Sequence, residues 1–287
     1  MASRTHGRVQ GRIEARATTD RALLRKFLGS DPLLAAYALC DLDEREFPRT
    51  RWGAAFEGDR PVAVALEYTG FSPQPLFVMG EPDGVTAVLR DVIRPRAAYL
   101  AALPENLVAA GRVYRIAPGP PMVRMWVDRS SFRPAPGATQ RLLPSEIGDL
   151  NRLYNLGFTT FLPSEAVANG VYYGIRVGGR LVAAAGTHVI SAEAGLAVVG
   201  NVMTHESQRN RGFAKITTSA VTGELLRTCE RVVLNVRSDN PPAIAAYLTL
   251  GYREHVRFEE RLVHRRASSW DSIVAPLRRF LQPSRES

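Results

Sequence analysis

The feature that most constrains this sequence is a glycine-containing turn between a predicted strand and a predicted helix. The apolar segment 196–203 runs through a short polar stretch into Arg209-Asn210-Arg211-Gly212-Phe213-Ala214, and a helix is predicted over 210–227. The first N–H groups of a helix have no intrahelical partner, and the helix dipole is positive at that end. A strand that leads through such a turn into a helix is therefore suited to binding phosphate.

The residues of this turn fit an anion-binding role. Gly212 lets the backbone approach a ligand closely, and Ala214 keeps a neighbouring position small. Arg209 and Arg211 add positive charge beside the same backbone groups. A single turn glycine would be explained more simply as structural, so the interpretation depends on the pattern that surrounds Gly212.

A second ordered pattern lies downstream of the turn. A strand is predicted over 231–236, Asn240 then precedes a helix over 241–250 that carries Tyr247, and Gly251-Tyr252 follows. Proline in the first helical turn agrees with a helix start at this point. Asn240 is open to two compatible roles, as an N-cap and as a ligand contact. Tyr247 is open to two interpretations, as a packed aromatic residue or as a reactive phenol.

Together, in this order and at this separation, the two patterns resemble the Gcn5-related N-acetyltransferase (GNAT) superfamily. The turn matches the family's phosphate loop, Q/R-x-x-G-x-G/A, and the strand, Asn, Tyr and Gly-Tyr match its second landmark. The resemblance covers residues 138–264, whose predicted elements follow the family's order. It implies an α+β fold with a mixed sheet, and the GNAT fold in the C-terminal half.

The resemblance also implies a donor and a set of binding residues. The donor would be acetyl-CoA, whose pantetheine arm would pair with the backbone of Val202 and Thr204 where two strands diverge. The residues implied to bind it are Val202, Thr204, Arg209, Arg211, Gly212, Phe213, Ala214 and Asn240. The acceptor would be a primary amine that the sequence does not identify, and no metal is implied.

Tyr247 is implied to be the general acid, because a phenol near the thioester can protonate the departing thiolate. The implied function is an acetyl-CoA-dependent N-acetyltransferase in which the amine attacks directly in a ternary complex. The alternative is a non-catalytic acyl-CoA-binding or regulatory module. Thiol release during turnover would separate the two.

The general base is not identified by the sequence. Many members of the family carry a carboxylate on the strand before the phosphate loop, but the strand 196–203 has none. Asn201 could only position a water molecule. His188 is a candidate, although a lone histidine on a strand is more often structural. Glu206 lies in a loop, where a solvated charge is the simpler interpretation, and proton loss through water to bulk solvent is equally open.

The segment 157–165 is where the resemblance places the wall of the acceptor pocket. Phe158, Phe161 and Leu162 would make that wall partly apolar. The same residues could equally pack a helix onto the sheet, so both interpretations are kept.

The first half of the chain has a similar succession of predicted elements but no phosphate-binding turn. A helical segment is predicted over 18–44, capped by Thr18 or Thr19 and broken near Gly29 and Pro32. Strands are predicted over 51–58, 59–70, 75–80, 112–117 and 122–128, and a helix over 82–94. This order fits a degenerate second copy of the same fold, and equally an unrelated α+β cap.

These patterns divide the chain into four predicted segments. They are a flexible basic arm over 1–16, an α+β domain over 17–134, the acetyltransferase domain over 138–264, and a C-terminal tail with a helix over 265–287. The Pro/Gly-rich stretch 133–138 is the predicted boundary between the domains. The apolar residues of the tail fit a packed helix better than a membrane-surface or partner helix, because the stretch is short.

Composition narrows the class of protein. The formal charge of +9 comes from 37 basic and 28 acidic residues, and nearly all the basic residues are arginine. No basic block with interleaved aromatic residues occurs, so we do not expect nucleic acid as a partner. No apolar run of membrane-spanning length and no secretory signal is found. Cys40 and Cys229 do not make a disulfide framework, and we therefore expect a cytoplasmic protein.

Overall fold

The computed structural model describes residues 12–154 and 162–266, and these form two compact units. Unit 1 is built from the described residues up to Thr18, from Arg51–Gly119 and from Arg261 onward. Unit 2 comprises Thr19–Thr50 and Pro120–Glu260. Within the described residues, every helix is too short or too polar to cross a lipid bilayer.

Thirteen strands and eight α-helices lie within the described ranges. In the first half they are β1 (Ile13–Ala17), α1 (Arg21–Leu28), α2 (Ala36–Cys40), β2 (Thr50–Glu57), β3 (Arg60–Tyr68), β4 (Gln74–Gly80), α3 (Pro82–Asp91), β5 (Ala97–Ala102), α4 (Pro104–Gly111), β6 (Tyr114–Ile116) and β7 (Met122–Asp128). In the second half they are β8 (Gln140–Arg141), α5 (Ile147–Tyr154), α6 (Ser164–Asn169), β9 (Tyr173–Val177), β10 (Arg180–Ser191), β11 (Leu196–Thr204), α7 (Phe213–Leu225), β12 (Arg231–Arg237), α8 (Pro241–Thr249) and β13 (Arg253–Arg265).

In unit 1, a series of antiparallel strands leads into one parallel pair. β1 pairs with β2, β2 lies beside β3, and β3 pairs with β4 in antiparallel register. β4 and β5 are parallel, with Gln74 opposite Ala98 and Phe77 opposite Ala101, and α3 connects them. Apolar residues of these strands pack with α3 and α4 into one core. The order is strand, strand, strand, helix, strand, helix.

Unit 2 contains the same order. Its strands lie side by side as β13, β7, β12, β11, β10, β9 and β8. β11 and β12 are parallel, with Leu196 opposite Arg231 and Val199 opposite Leu234, whereas the neighbouring pairs are antiparallel. α7 connects β11 to β12, and α8 follows β12. A parallel pair joined by a helix is thus the centre of this sheet.

The sheet of unit 2 carries helices on both faces. Successive strand residues point to opposite faces, and accordingly Ala184 packs with residues of α5 and α6 while Ala185 packs with residues of α7 and α8. Tyr172 and Tyr173 divide in the same way. We call these the α5/α6 face and the α7/α8 face.

The first two helices belong to unit 2 although they lie between β1 and β2 of unit 1 in sequence. α2 packs on β10 and β11, and Arg25 forms an ion pair with Glu193 at 2.6 Å. α1 starts after Asp20, whose carboxylate accepts a hydrogen bond from the Leu23 N–H at 3.0 Å. Asp20 is therefore the N-cap, and the prediction of Thr18 or Thr19 in that role is wrong.

The predicted α+β fold class with a mixed sheet is confirmed. The elements β5 and α4 were missed, because their alanine-rich sequence has little alternation to distinguish strand from helix. The predicted flexible arm over 1–16 is wrong at residues 13–16, which lie in β1, and residues 1–11 lie outside the described residues. So does almost all of the predicted C-terminal helix, from residue 267 onward.

The two units do not divide at the predicted boundary. Residues 133–138 lie inside unit 2, where the Ala135 N–H donates to the Ser219 hydroxyl at 2.8 Å. Residues 19–50 also belong to unit 2, since α2 packs on β10 and β11. The four-segment division, with a degenerate copy over 17–134 and an acetyltransferase domain over 138–264, stays a prediction.

Candidate active site

The turn before α7 has the backbone that its sequence predicts. Gly212 is the N-terminal residue that flanks the helix, and its φ of +76° is in the left-handed region, which glycine adopts without strain. A side chain built at Gly212 would meet no atom within 4 Å, so the space in front of it is open. Asn210 also has a positive φ, +63°. The turn is therefore shaped for close approach from outside.

The start of α7 is electrostatically suited to an anion. Gly212 supplies no side-chain cap, and the first turn contains no acidic residue. The first intrahelical bond is donated by the Ile216 N–H, so the N–H groups of Phe213, Ala214 and Lys215 precede it. These N–H groups and the helix dipole together favour a phosphate-like group.

The two arginines of the turn are exposed and lightly restrained. Arg211 donates to the Gln208 side chain and lies over the Phe213 ring, 4.9 Å from its centre. Arg209 is 3.6 Å from the carboxylate of Glu206. Both guanidinium groups can therefore turn toward an anion at the helix start. The Glu206 side chain is exposed to solvent beside Arg209, as expected for a surface charge.

The strands β11 and β12 separate just beyond their paired region. The parallel pairing runs from Leu196 and Arg231 to Val199 and Leu234, and both strands then continue. A bulge in β11 accompanies the separation, since Gly200 is opposite Gly186 while Met203 is already opposite Ala184. Asn201 lies in the bulge with a φ of +51°. We call the space between the continuing strands the opening.

Val202 and Thr204 lie on the β11 side of the opening. Val202 packs against the cluster that contains Tyr247. The Thr204 hydroxyl is buried without a hydrogen-bond partner among the residues that the structure describes. An orphaned polar group beside the opening fits a ligand that carries amide groups, as the pantetheine arm does.

Asn240 and Tyr247 lie at the start and near the end of α8. The Asn240 side chain accepts from the Ala243 N–H at 3.3 Å, which shows its capping role, and it remains exposed. The Tyr247 side chain is only 7% exposed, and burial raises its pKa to about 12. Its ring lies 6.0 Å from that of Tyr252. Across the described ranges, the Tyr247 hydroxyl has no hydrogen-bond partner, so its proton is available to a ligand.

On the α5/α6 face, the opening is bordered by a chain of hydrogen bonds that the sequence did not predict. The Tyr37 hydroxyl lies 2.6 Å from His188 Nδ1, and His188 Nε2 lies 3.3 Å from Asn201 Oδ1. The Asn201 amide donates to the Tyr172 hydroxyl at 2.9 Å, and Tyr172 donates to the Thr187 carbonyl at 3.0 Å. The structure thus brings together His188, a candidate base, and Asn201, which could position a water molecule.

The position of His188 depends on a glycine. A side chain added at Gly200 would lie 2.2 Å from His188 Nε2, so only glycine lets the imidazole ring lie against β11. Part of the ring is open to solvent, yet the surrounding protein disfavours its charged form. Burial therefore lowers the pKa of His188, and the hydrogen bond to Asn201 offsets this only in part.

A buried arginine joins Tyr37 to the other strand of the opening. Arg124 is 2% exposed, donates to the Asn235 side chain at 2.9 Å, and lies 5.6 Å from the centre of the Tyr37 ring. It also donates to the carbonyls of Leu33 and Leu34. Burial lowers the pKa of Arg124, which nonetheless remains charged near neutral pH.

A carboxylate, Glu260, joins this arrangement through Asn235. It accepts from the Asn235 amide at 3.3 Å, and burial raises its pKa, with Arg124 opposing the shift. Tyr37, Arg124, Asn235 and Glu260 were all missed from the sequence. One signal was available, since Arg124 interrupts a strand whose neighbours Val123 and Met125 are fully buried, and a charge at such a position needs partners.

The predicted site residues therefore divide between two faces of one opening. Val202, Tyr247 and the turn at Gly212 are associated with the α7/α8 face, whereas His188 and Asn201 lie on the α5/α6 face. Of the predicted acceptor wall, Phe158 and Phe161 lie outside the described residues, and Leu162 packs with the α5/α6 cluster. The ligand-binding role of each residue stays a prediction.

Comparison with known proteins agrees with this geometry. Residues 172–262 match the model of the family described as FR47-like protein. No curated protein matches the sequence significantly.

Solved structures similar to this chain include GNAT proteins. One, from Sphaerobacter thermophilus, is 16% identical, with a TM-score of 0.60, and the match covers 88% of this chain and 95% of that one. A second, from Kribbella flavida, is 18% identical with a TM-score of 0.53, over 73% and 89% of the two chains. A tandem GNAT protein from the clavulanic acid biosynthesis pathway is 14% identical with a TM-score of 0.53, over 90% and 100%. The predicted resemblance to the GNAT superfamily is confirmed, and the chain has the GNAT fold.

Proposed function

We propose that this protein is an acetyl-CoA-dependent N-acetyltransferase that transfers an acetyl group to a primary amine by direct attack in a ternary complex. One observation carries the proposal. The opening between β11 and β12 is bordered by the start of α7, whose first turn has no acidic residue, and by Tyr247, whose hydroxyl has no partner among the described residues.

The donor-binding residues follow from that arrangement. The N–H groups at Arg209, Arg211, Gly212, Phe213 and Ala214 would hold the pyrophosphate, and the two arginine side chains would add charge. The backbone of Val202 and Thr204 would pair with the pantetheine arm, because β11 has left its partner strand there. Asn240 orders the start of α8 and would contact the same ligand.

In this proposal, Tyr247 donates a proton to the departing sulfur. Its raised pKa keeps the phenol protonated at neutral pH, so the hydroxyl enters the reaction as a proton donor. Its side chain packs in the cluster on the α7/α8 face, which holds the ring in one place. The fold and this chemistry need no metal and no membrane or nucleic-acid partner, and they fit a cytoplasmic enzyme with an amine acceptor.

The competing possibility is a non-catalytic acyl-CoA-binding module. It is favoured by the absence of a carboxylate from β11, where many relatives carry the base. The polar chain on the α5/α6 face is the observation that favours the enzyme, since a binding module has no need of it.

The test is free-thiol release from acetyl-CoA in the presence of a panel of amines, amino acids, aminoglycosides and peptides. We expect at least one acceptor to give turnover, with the acetylated product identified by mass. Binding of acetyl-CoA without turnover on any acceptor would support the module, and absence of binding would contradict both functions.

A further inference from the structure

We infer that Tyr37 and His188 form a two-residue relay that takes the proton from the acceptor ammonium. The inference rests on the proposed acetyl transfer and adds the proton acceptor that β11 does not supply. It assigns a role to a tyrosine far from every recognised motif of the sequence.

The direction of each hydrogen bond in the chain is fixed from its far end. The Thr187 carbonyl can only accept a hydrogen bond, so the Tyr172 hydroxyl donates its proton to that carbonyl. The Asn201 group facing Tyr172 must therefore be the amide nitrogen, and Asn201 Oδ1 must face His188. That oxygen accepts from His188 Nε2, which leaves the lone pair of Nδ1 facing Tyr37.

The Tyr37 hydroxyl consequently donates to His188 Nδ1 across 2.6 Å. The imidazole is neutral in this arrangement, in agreement with its lowered pKa. Nδ1 can receive the phenolic proton at the moment when the Tyr37 oxygen receives another. A phenol whose proton can move away in this manner acts as a base without being ionised at rest.

Tyr37 lies where an acceptor would reach the opening from the α5/α6 face. Through His188 and Asn201 it is linked to β11, just past the paired residues. Through Arg124 it is linked to Asn235 of β12, the first residue beyond the pairing on that strand. Tyr37 is therefore connected through these residues to both strands that border the opening, while Tyr247 packs on the opposite face.

The proton and electron balance is complete. The ammonium gives one proton to the Tyr37 oxygen as the Tyr37 proton passes to His188 Nδ1, and the freed nitrogen lone pair forms the bond to the acetyl carbon. The carbon–sulfur bond breaks, and sulfur takes the Tyr247 proton. The nitrogen loses its second proton to water, Tyr247 regains one from water, and His188 releases the relayed proton to solvent. The net products are the amide, the free thiol and one proton.

The test compares Tyr37→Phe and His188→Gln with the unaltered protein in a pH series, using an accepted amine and saturating acetyl-CoA. We expect kcat/KM for the amine to fall about 100-fold or more near neutral pH. The deficit should shrink as the pH rises, because the free amine then no longer needs a base. Affinity for acetyl-CoA should be unchanged.

The other titratable groups near Tyr37 must be held constant in this comparison. They are Arg124 on β7, Glu260 on β13, and Cys40 and Asp41 at the end of α2. Neither substitution alters them, so a change in the pH profile reports the relay.

Two further variants separate the relay from a general structural effect. Gly200→Ala changes no polar group but crowds the His188 ring, and we expect it to give the same pH-dependent deficit. Tyr173→Phe removes a hydroxyl that donates to Glu224 at 2.8 Å on the other face, and it should leave the profile unchanged. Melting temperatures identify any variant that fails to fold.

A Tyr37→Phe protein with the unaltered pH profile would overturn the relay and leave the acetyltransferase standing. A deficit of equal size at every pH would also overturn it, since a purely structural role predicts that result. If the unaltered protein acetylates no amine, the proposed function and the relay fall together.

Discussion

The two units each contain a parallel strand pair joined by a helix, and their helix starts differ in chemistry. In unit 1 the connection is β4–α3–β5, and in unit 2 it is β11–α7–β12. α3 begins with Glu81, Pro82 and Asp83. Two carboxylates therefore flank Pro82, which has no backbone N–H to donate to an anion. α7 begins at Gly212 with no acid in its first turn. Topology alone therefore does not make an anion site.

The helices that follow the second parallel strand differ in the same direction. α8 is capped by Asn240, begins with proline, and carries Tyr247 seven residues after its cap. α4 follows Leu103, which makes no side-chain cap, and also begins with proline, but its seventh position is the buried Ala110. At α3 and α4, unit 1 thus has the same framework without the glycine turn and without the phenol. We therefore expect chemistry in unit 2 alone.

The largest expected effect concerns Tyr247, the phenol without a counterpart in unit 1. Tyr247→Phe removes only a hydroxyl, and loss of a proton donor typically lowers the rate by about 10²–10⁴-fold. Affinity for acetyl-CoA should barely change, because the hydroxyl acts mainly as sulfur gains charge. The measurement is single-turnover thiol release together with calorimetry.

Tyr252→Phe is the control for that substitution. Its ring lies beside Tyr247, but its hydroxyl is 2.7 Å from the Thr222 hydroxyl and has a partner already. A Tyr247→Phe protein as fast as the control, where chemistry limits the rate, would return Tyr247 to a packing role.

The next effect concerns donor binding at Gly212. Gly212→Val places a β-branched residue at a φ of +76°, so the turn must change and the N–H groups lose their arrangement. We expect affinity for CoA to fall about 100-fold or more, on the scale of two lost charge-assisted hydrogen bonds. Calorimetry of the unaltered protein should give one CoA per chain, and two would contradict the contrast between the units.

Gly58→Val provides a matched control in unit 1. Gly58 has a φ of +61° and, like Gly212, open space where a side chain would go. The strain of the substitution is therefore similar, but CoA affinity should not change. Equal losses of CoA affinity in the two variants would show that backbone strain is responsible, and not the loss of the N–H groups at the turn before α7.

A smaller effect is expected for the charge beside the turn. Arg211→Ala should weaken CoA binding about 10-fold, and the loss should diminish at high salt because exposed charges are screened. Arg112→Ala is the control, since Arg112 pairs at 2.7 Å with Asp83 at the start of α3. Titrations at two ionic strengths measure both, and a salt-independent loss for Arg211→Ala would exclude a direct charge contribution.

The smallest expected effect is on thermal stability, and it compares one buried carboxyl group in each unit, Asp41 in unit 2 and Glu67 in unit 1. Burial raises the pKa of Asp41 in unit 2 to about 8, and nearby Glu46 and Asp43 add to the shift. The folded state therefore holds a proton that the unfolded chain releases above about pH 4, so stability falls as the pH rises toward 8. Asp41→Asn should raise the melting temperature by several degrees at pH 8, and by less at pH 5.

Glu67→Gln in unit 1 should give a smaller gain. Burial also raises the pKa of Glu67, but Arg51 lies 3.8 Å away and opposes the shift. Thermal unfolding of both variants at the two pH values makes the comparison. A gain for Asp41→Asn that does not increase with pH would contradict the assignment.

The sequence predicted best what is local along the chain. The strand over 196–203, the turn at Gly212 and the helix that carries Tyr247 each depend on neighbouring residues, and the structure has them where they were predicted. The cap at Asn240 followed from the same kind of reasoning. Residues close in sequence determine these features, so periodicity and turn chemistry are sufficient to find them.

What the sequence did not reveal depends on distant pairs. Tyr37 and His188 are 151 residues apart, and Arg124 and Asn235 are 111 apart. No periodicity connects such residues, because their proximity arises only when β7 pairs with β12 and α2 packs on β10 and β11. The predicted boundary at 133–138 missed these pairings for the same reason.

The placement of Thr19–Thr50 in unit 2 has a consequence for how this protein can diversify. The family match spans 172–262, which includes the turn, Asn240 and Tyr247, whereas Tyr37 and Arg124 lie outside it. Under the proposed function, the donor-binding residues and the base Tyr37 are thus encoded in separate stretches of the gene. Exchange of the segment 19–50 between relatives would replace Tyr37, the proposed proton acceptor, and leave every proposed donor-binding residue in place, so the two halves of the reaction can evolve separately.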